Sequence, residues 1–190
     1  MSTTSRPPKN LPLLSRHITT HNANGQAIFS TTLSPTMPVS PIPDGADFSL
    51  AYTTSTYPVR LPNDPETDVL EYASYLAPGA APGLVVSSGS VCRIVDMQPG
   101  ALSPMHRTVS LDYGVVLEGV VELVLDSGES RVLRRGDVAV QRGTNHAWRN
   151  VSGEGRWARM LYVLLPAVGV EVGGKLLGEE LGEMGVRGST

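Results

Sequence analysis

The sequence predicts an all-β fold, a sandwich or small barrel of the jelly-roll kind, on three observations. From residue 90 onward the chain reads as short β-rich segments: SVCRIVDM, GVVLEGVVELVLD, ESRVLRRGDVAVQ, HAWRNVS and RWARMLYVLL. Turn signals separate them at Pro99-Gly100, Ser127-Gly128, Arg135-Gly136 and Ser152-Gly153. Evenly spaced short strands with such punctuation mark a sandwich or barrel. Glycine (20) and proline (15) are plentiful among 190 residues and suit tight turns better than long helices. With 41% hydrophobic residues, a chain of this length closes one sizeable core.

Taken in order, residues 1–15 open MSTTSRPPKNLPLL, polar and proline-bearing, and are expected to form a disordered arm. Residues 16–83 are expected to be an N-terminal extension. In it, RHITTHNANGQAIFSTTL (16–33) reads as two strands around Asn24-Gly25, the best hairpin signal in the chain. SPTMPVSPIPDG (34–45) holds four prolines and reads as an extended connector. DFSLAYTTSTYPVR (47–60) alternates enough to be a strand. DPETDVLEYASYL (64–76) reads as one short helix, with Asp64 as cap and Pro65 in its first turn. The barrel is expected over 84–168. The glycine-rich tail, 169–190, has room for one more strand.

Composition excludes several classes. Charged residues are 17% of the chain and the net charge is −3, a balance that argues against a clustered Lys and Arg face for nucleic acid. No apolar run approaches the ~18 residues of a membrane helix, the start lacks a secretory apolar core, and no phosphate loop appears. The one cysteine, Cys92, cannot form an internal disulfide and reads as an inert buried thiol. The expectation is a cytoplasmic protein.

Chemistry concentrates in two stretches. The first reads Gly100-ALSPM-His106-Arg107-Thr108-VSL-Asp112-YGVVLE-Gly119. The second reads Gly136-DVAVQR-Gly143-TN-His146-AWR-Asn150. Residues two apart in extended chain share a face, so His106, Thr108 and Asp112 are expected to point into one barrel mouth. His146 is expected to approach from the facing sheet. Arg107 and Tyr113 have the opposite parity and are expected to face away.

These motifs resemble those of the cupin family, a double-stranded β-helix or jelly-roll barrel. The likeness spans about Val91 to Leu165. In that family two histidines, an acid and the second-motif histidine bind a divalent metal. Residue by residue, His106, Asp112 and His146 match, whereas Thr108 stands where the second histidine would be and Asp112 is one methylene shorter than glutamate. The resemblance implies a metal held by His106, Asp112 and His146, with Fe(II) expected and Zn, Mn or Ni as alternatives. Two imidazoles and a carboxylate with open positions form the facial triad of non-haem iron. Without metal, His106 and His146 are a general acid and base that Asp112 orients.

PMHRTVSLDYGVVLEG, VQRGTNHAWRN and VGGKLLGE are also similar to small single-domain cupins of fungi and bacteria. Some fungal members accompany polyketide pathways and are described as oxidoreductases. The resemblance implies an oxidoreductase of secondary metabolism, acting as a homodimer on a small oxygenated, polyketide-derived or aromatic metabolite. The alternatives are a lyase or isomerase working by acid–base catalysis, and a non-catalytic small-molecule binder. Thr108, Trp148, Tyr162 and Met160 are expected to wall the pocket. Val115, Val116, Val121, Val124, Val138 and Val140 are candidates for its apolar lining.

Overall fold

The computed structural model describes residues 6–189. Residues 1–5 of the expected disordered arm lie outside the described residues. The chain first makes a hairpin of β1 (Thr19–His21) and β2 (Ala27–Phe29), pairing His21 with Ala27. Asn22 Oδ1 accepts from the backbone N–H groups of Asn24 and Gln26, both at 3.0 Å, and Gly25 turns the chain at φ +74°. That left-handed position is the one a glycine takes without strain.

The strands β3 (Ser40–Pro41) and β4 (Ala46–Thr54) join the barrel itself, β4 lying antiparallel to β5 (Ser90–Met97). The helix α1 (Thr67–Ser74) packs over β4 through Tyr72, which is fully buried and donates from its hydroxyl to Leu50 O at 2.8 Å. Asp64 does not cap this helix. Glu66 holds the cap position without a side-chain cap bond. Its carboxylate accepts instead from the hydroxyls of Ser30 and Thr32, both at 2.6 Å. These donors from the hairpin take the acid that would otherwise serve the helix start.

The barrel is completed by β6 (Ser110–Glu118), β7 (Val120–Leu125), β8 (Ser130–Arg134), β9 (Val138–Arg142), β10 (His146–Asn150) and β11 (Ala158–Pro166). The larger sheet runs β3-β4-β5-β11-β6-β9 and the smaller β10-β7-β8. One core joins them: Val95, Met97, Val116 and Met160 from the large sheet pack with Val121, Leu133 and Trp148 from the small one. The tail adds a hairpin, β12 (Val170–Val172) with β13 (Lys175–Leu177), where one strand was expected. No helix among the described residues is long and apolar enough to cross a membrane.

Two motif residues have plain structural reasons. Gly119 turns β6 into β7 at φ +83°, where a Cβ would come within 2.4 Å of Ser152 Oγ. The Asn150 amide donates to the carbonyls of Met97 (3.0 Å), Gln98 (3.0 Å) and Arg156 (2.9 Å), tying the small sheet to the ends of β5 and β11.

Residues 6–12, part of the arm expected to be disordered, lie against the outer face of the large sheet. Asp96, only 2% exposed, receives two bonds from Arg159, at 2.6 and 2.8 Å, and pairs also with Lys9. Arg6 and Lys9 pair with Asp47 at 2.7 and 3.1 Å, and Arg159 donates to Pro12 O at 3.0 Å. The arm is held because it carries the cations that two buried carboxylates need. Removing one partner of a buried ion pair leaves the other charge uncompensated, at a cost of about 3 kcal/mol or more. Arg159→Leu is therefore expected to lower unfolding free energy by about 3 kcal/mol in urea titrations. A midpoint unchanged from the parent would contradict the clasp.

Candidate functional site

The segment between β5 and β6 runs first in one sheet and then in the other. Leu102 and His106 bridge to Arg149 and His146, extending the edge of β10. His106 N donates to His146 O at 2.8 Å, and His146 N returns a bond to His106 O at 2.9 Å. By Ser110 the chain has entered the large sheet, where Asp112 pairs with Leu164 and Gln141. His106, Thr108, Asp112 and His146 all line one cavity. The arrangement differs from the expectation that His146 approaches from the facing sheet. His106 and His146 are same-sheet neighbours with ring centroids 4.3 Å apart, and Asp112 is the residue on the facing sheet. The crossing near Thr108 separates residues that alternation alone would place on one strand.

Backbone carbonyls fix both imidazoles. His106 Nδ1 lies 2.9 Å from Pro104 O, and His146 Nδ1 lies 3.0 Å from Thr144 O. A carbonyl oxygen can only accept, so Nδ1 carries the proton in each ring and Nε2 keeps its lone pair. Burial pushes the His106 pKa down from 6.5, opposed by the Pro104 carbonyl and the Asp44 carboxylate. Burial, with His106 beside it, pushes His146 further down, to about 3. Both rings are neutral at pH 7. A positive charge is better tolerated on His106, because Asp44 faces it.

Asp112 behaves in the opposite sense. Burial raises its pKa from 3.8 to about 6, against hydrogen bonds from Ser110 and Thr108. Ser110 Oγ donates to Oδ1 at 2.5 Å, and Thr108 Oγ1 stands 3.4 Å from Oδ2. Thr108 thus serves the carboxylate as a hydroxyl neighbour.

The metal set expected from the resemblance does not fit. Among the described residues, no group of three or more His, Cys, Asp or Glu side chains is placed to hold an ion. The short Asp112 side chain is held by the hydroxyls of its own segment, leaving two imidazoles without a third donor. For the expected ligation of iron, zinc, manganese or nickel by His106, Asp112 and His146, this arrangement offers no ready-made three-donor cluster among the described residues. The three side chains share a cavity without forming a coordination sphere.

The cavity has about 70 Å³ of room for water centres, space for roughly five waters or a small ligand. Trp148 and Tyr162 line it. Trp148 packs edge-on to His146 (5.6 Å) and to Tyr162 (5.5 Å). Met160 does not reach the cavity. It is fully buried beneath Tyr162, and its Sδ accepts the Tyr162 hydroxyl at 3.0 Å. The expected valines do not line it either. Val116 and Val121 are in the core, while Val138 and Val140 are exposed. Ala46, Phe48, Leu84, Val95, Leu164 and Met184 make the apolar wall instead. Strand parity alone does not say which face of β9 meets solvent.

Sequence reasoning missed Asp44 and Arg93, both on the cavity wall. Asp44 sits in a turn of the proline-rich connector, whose docking against the barrel no local pattern announces. Arg93 did leave a signal. It is a lone cation in the apolar strand SVCRIVDM, two residues from Val91 and Val95, on the inward face.

The Cupin domain family model matches residues 93–164. Phomopsin biosynthesis cluster protein D of Diaporthe leptostromiformis is 53% identical over 163 residues, covering 86% of this chain and 84% of that protein. Oryzines biosynthesis cluster protein J of Aspergillus oryzae is 44% identical over 180 residues, covering 95% and 98%. Cupin-domain-containing oxidoreductase fogC of Aspergillus ruber is 42% identical over 183 residues, covering 96% and 87%. Likeness of this extent and length, on a jelly-roll barrel with both motifs in place, means that the chain belongs to the cupin family, among relatives that include fungal cupin-domain-containing oxidoreductases.

Proposed function

We propose that this chain is a cytoplasmic cupin oxidoreductase of secondary metabolism. Its substrate is a small, mainly apolar, oxygenated metabolite, polyketide-derived or aromatic, bound inside the barrel. A homodimer belongs to the same reading. Its own residues handle the protons. One observation carries this: two buried imidazoles present bare Nε2 atoms to an apolar cavity that Asp112 enters from the facing sheet. Groups whose surroundings push their pKa values in opposite directions are the usual acid–base partners.

Roles follow from the charges. His106 Nε2 takes a proton from an acidified C–H or O–H group, and Asp44 stabilises the resulting imidazolium. His146 stays neutral and accepts a hydrogen bond that orients the substrate. Asp112, whose pKa burial lifts to about 6, returns a proton from the facing wall through its protonated form and is otherwise a carboxylate at neutral pH. The Tyr162 hydroxyl is held protonated well above its usual range by burial and by the Asp112 charge, and its present acceptor is only a thioether. It is free to donate to an oxyanion that develops on the substrate. Proton removal leaves the substrate electron-rich, and oxidation from that state passes two electrons to an external acceptor such as dioxygen, which takes up the two protons released and leaves as hydrogen peroxide. A lyase or isomerase is the second reading, favoured by the placement of His106 and Asp112 on opposite sheets, where a proton taken on one face is delivered from the other.

In the producing organism, replacing the gene by its His106→Ala form is expected to accumulate the same intermediate as deleting it. His146→Gln is expected to slow conversion by about 10²-fold or more. A metabolite profile in His106→Ala equal to the parent would overturn the reading.

Titration gives a second check. Asp112 has a higher pKa folded than unfolded, so its ionisation costs stability above about pH 6, and the cost fades as pH falls toward 3.8. His146 has a lower one, so stability is lost as pH falls below 6.5. The two offset each other between roughly pH 4 and 6. Asp112→Asn is expected to gain about 3 kcal/mol over the parent at pH 8 and to lose that advantage by about pH 4, read from urea midpoints. An Asp112→Asn advantage independent of pH would contradict the raised pKa.

Elemental analysis supplies a third. Purified protein is expected to hold well under one equivalent of iron, zinc, manganese or nickel, and dialysis against a chelator to leave its unfolding midpoint unchanged. One equivalent of metal, lost in both His106→Ala and His146→Ala, would restore the three-ligand arrangement.

A further inference from the structure

Among the described residues, Arg93 is a buried cation without a counter-ion. It is 5% exposed, on the inward face of β5, and lines the cavity that holds His106 and His146. One Nη donates to Gly83 O at 3.0 Å, and the guanidinium lies 4.7 Å from the Phe48 ring centroid. Among the described residues its other N–H groups meet no acceptor, and no carboxylate forms an ion pair with it. Asp44 and Asp112 share the cavity but do not pair with Arg93. The neighbouring buried arginine shows the contrast: Arg159, on the outer face, is satisfied by both oxygens of Asp96. Burial lowers the Arg93 pKa only to about 10, so it remains charged at pH 7.

An unpaired buried cation is costly, and one carbonyl and one aromatic face do not replace an anion. Its planar fork suits a carboxylate, which it binds through two parallel N–H bonds. In the large sheet Arg93 sits directly opposite Tyr162. From Tyr162 the aromatic wall continues through Trp148 to His146 and His106. One ligand lying along this wall would meet a cation at one end and the imidazoles at the other.

We propose that Arg93 is the anchor for a carboxylate on the substrate. The ligand class is an apolar monocarboxylic acid whose body packs on Phe48, Trp148 and Tyr162 and whose reacting end meets the imidazoles. This rests on the proton-transfer reading for the chemistry at the far end. The anchoring itself rests on Arg93 alone. It also sorts the substrates, because an ester or amide of the same acid leaves the guanidinium buried without an anion.

Calorimetric titration of the full chain with phenylacetate and with its neutral isostere phenylacetamide tests this. The parent is expected to bind phenylacetate about thirtyfold more tightly than the amide. Arg93→Leu is expected to lose that preference while keeping a urea midpoint at least equal to the parent's, since it removes an unpaired buried charge. Arg93→Lys should keep the preference in weakened form. Equal binding of the two probes, no binding of either, or an Arg93→Leu form that still prefers phenylacetate would overturn the proposal. A fall in the Arg93→Leu midpoint with the preference intact would make Arg93 a strut for the Gly83 segment and overturn it too. His106→Ala separates the two readings. It should keep the phenylacetate preference and lose conversion, and conversion surviving there would sink proton transfer while leaving the anchor standing.

Discussion

Two backbone carbonyls, those of Pro104 and Thr144, set the chemistry of this barrel. Each takes the Nδ1 proton of a histidine two residues further on, and each thereby leaves a bare Nε2. The rest of the site depends on that choice of tautomer. A ring turned the other way would present a donor to the cavity and could not accept a proton. The two histidines also hold each other in register, through a reciprocal pair of backbone bonds. Their rings are too close for both to carry charge, and this is why burial and proximity together keep His146 neutral.

Holding those carbonyls in place is the work of the surrounding fold. The segment bearing Pro104 is fastened at one end to Arg149 and His146, and at the other, through Arg107, to Glu180 in the tail. Arg107 also pairs with the Glu180 side chain at 3.0 Å. Asn150 fixes β10 to the turns after β5 and before β11. On the outside, the Asp96–Arg159 pair and the cations of the arm close the large sheet. A polar site inside an apolar barrel therefore rests on ion pairs that sit on the opposite face of the same strands. Period-two alternation makes this possible: Arg93 and Val95 look inward while Asp96 looks outward.

Much of this was legible in the sequence, and the failures share a cause. The strand-rich texture, the hairpin at Asn24-Gly25 and the two motifs identified the barrel and put His106, Asp112, His146, Trp148 and Tyr162 in one cavity. Local pattern reads what neighbours along the chain do. It does not read which sheet a strand joins, so it placed His106 with Asp112 rather than beside His146. It did not see that an N-terminal turn would bring Asp44 to the site, or that hairpin hydroxyls would claim Glu66 and leave the helix uncapped. The arm read as disordered because it is polar and proline-bearing; the partners of Arg6 and Lys9, Asp47 and Asp96, are brought to them only by the folded sheet. Arg93 was visible as a misfit in an apolar strand, and misfits of that kind are where function departs from folding.

The central claim is the tautomer and charge of the two imidazoles, and nitrogen-15 NMR of histidine-labelled protein reads both directly. The account predicts that His106 and His146 show protonated Nδ1 and unprotonated Nε2 at pH 7, with His146 still neutral at pH 5. A protonated Nε2 on either ring at pH 7, or a His146 that titrates near 6.5, would contradict it.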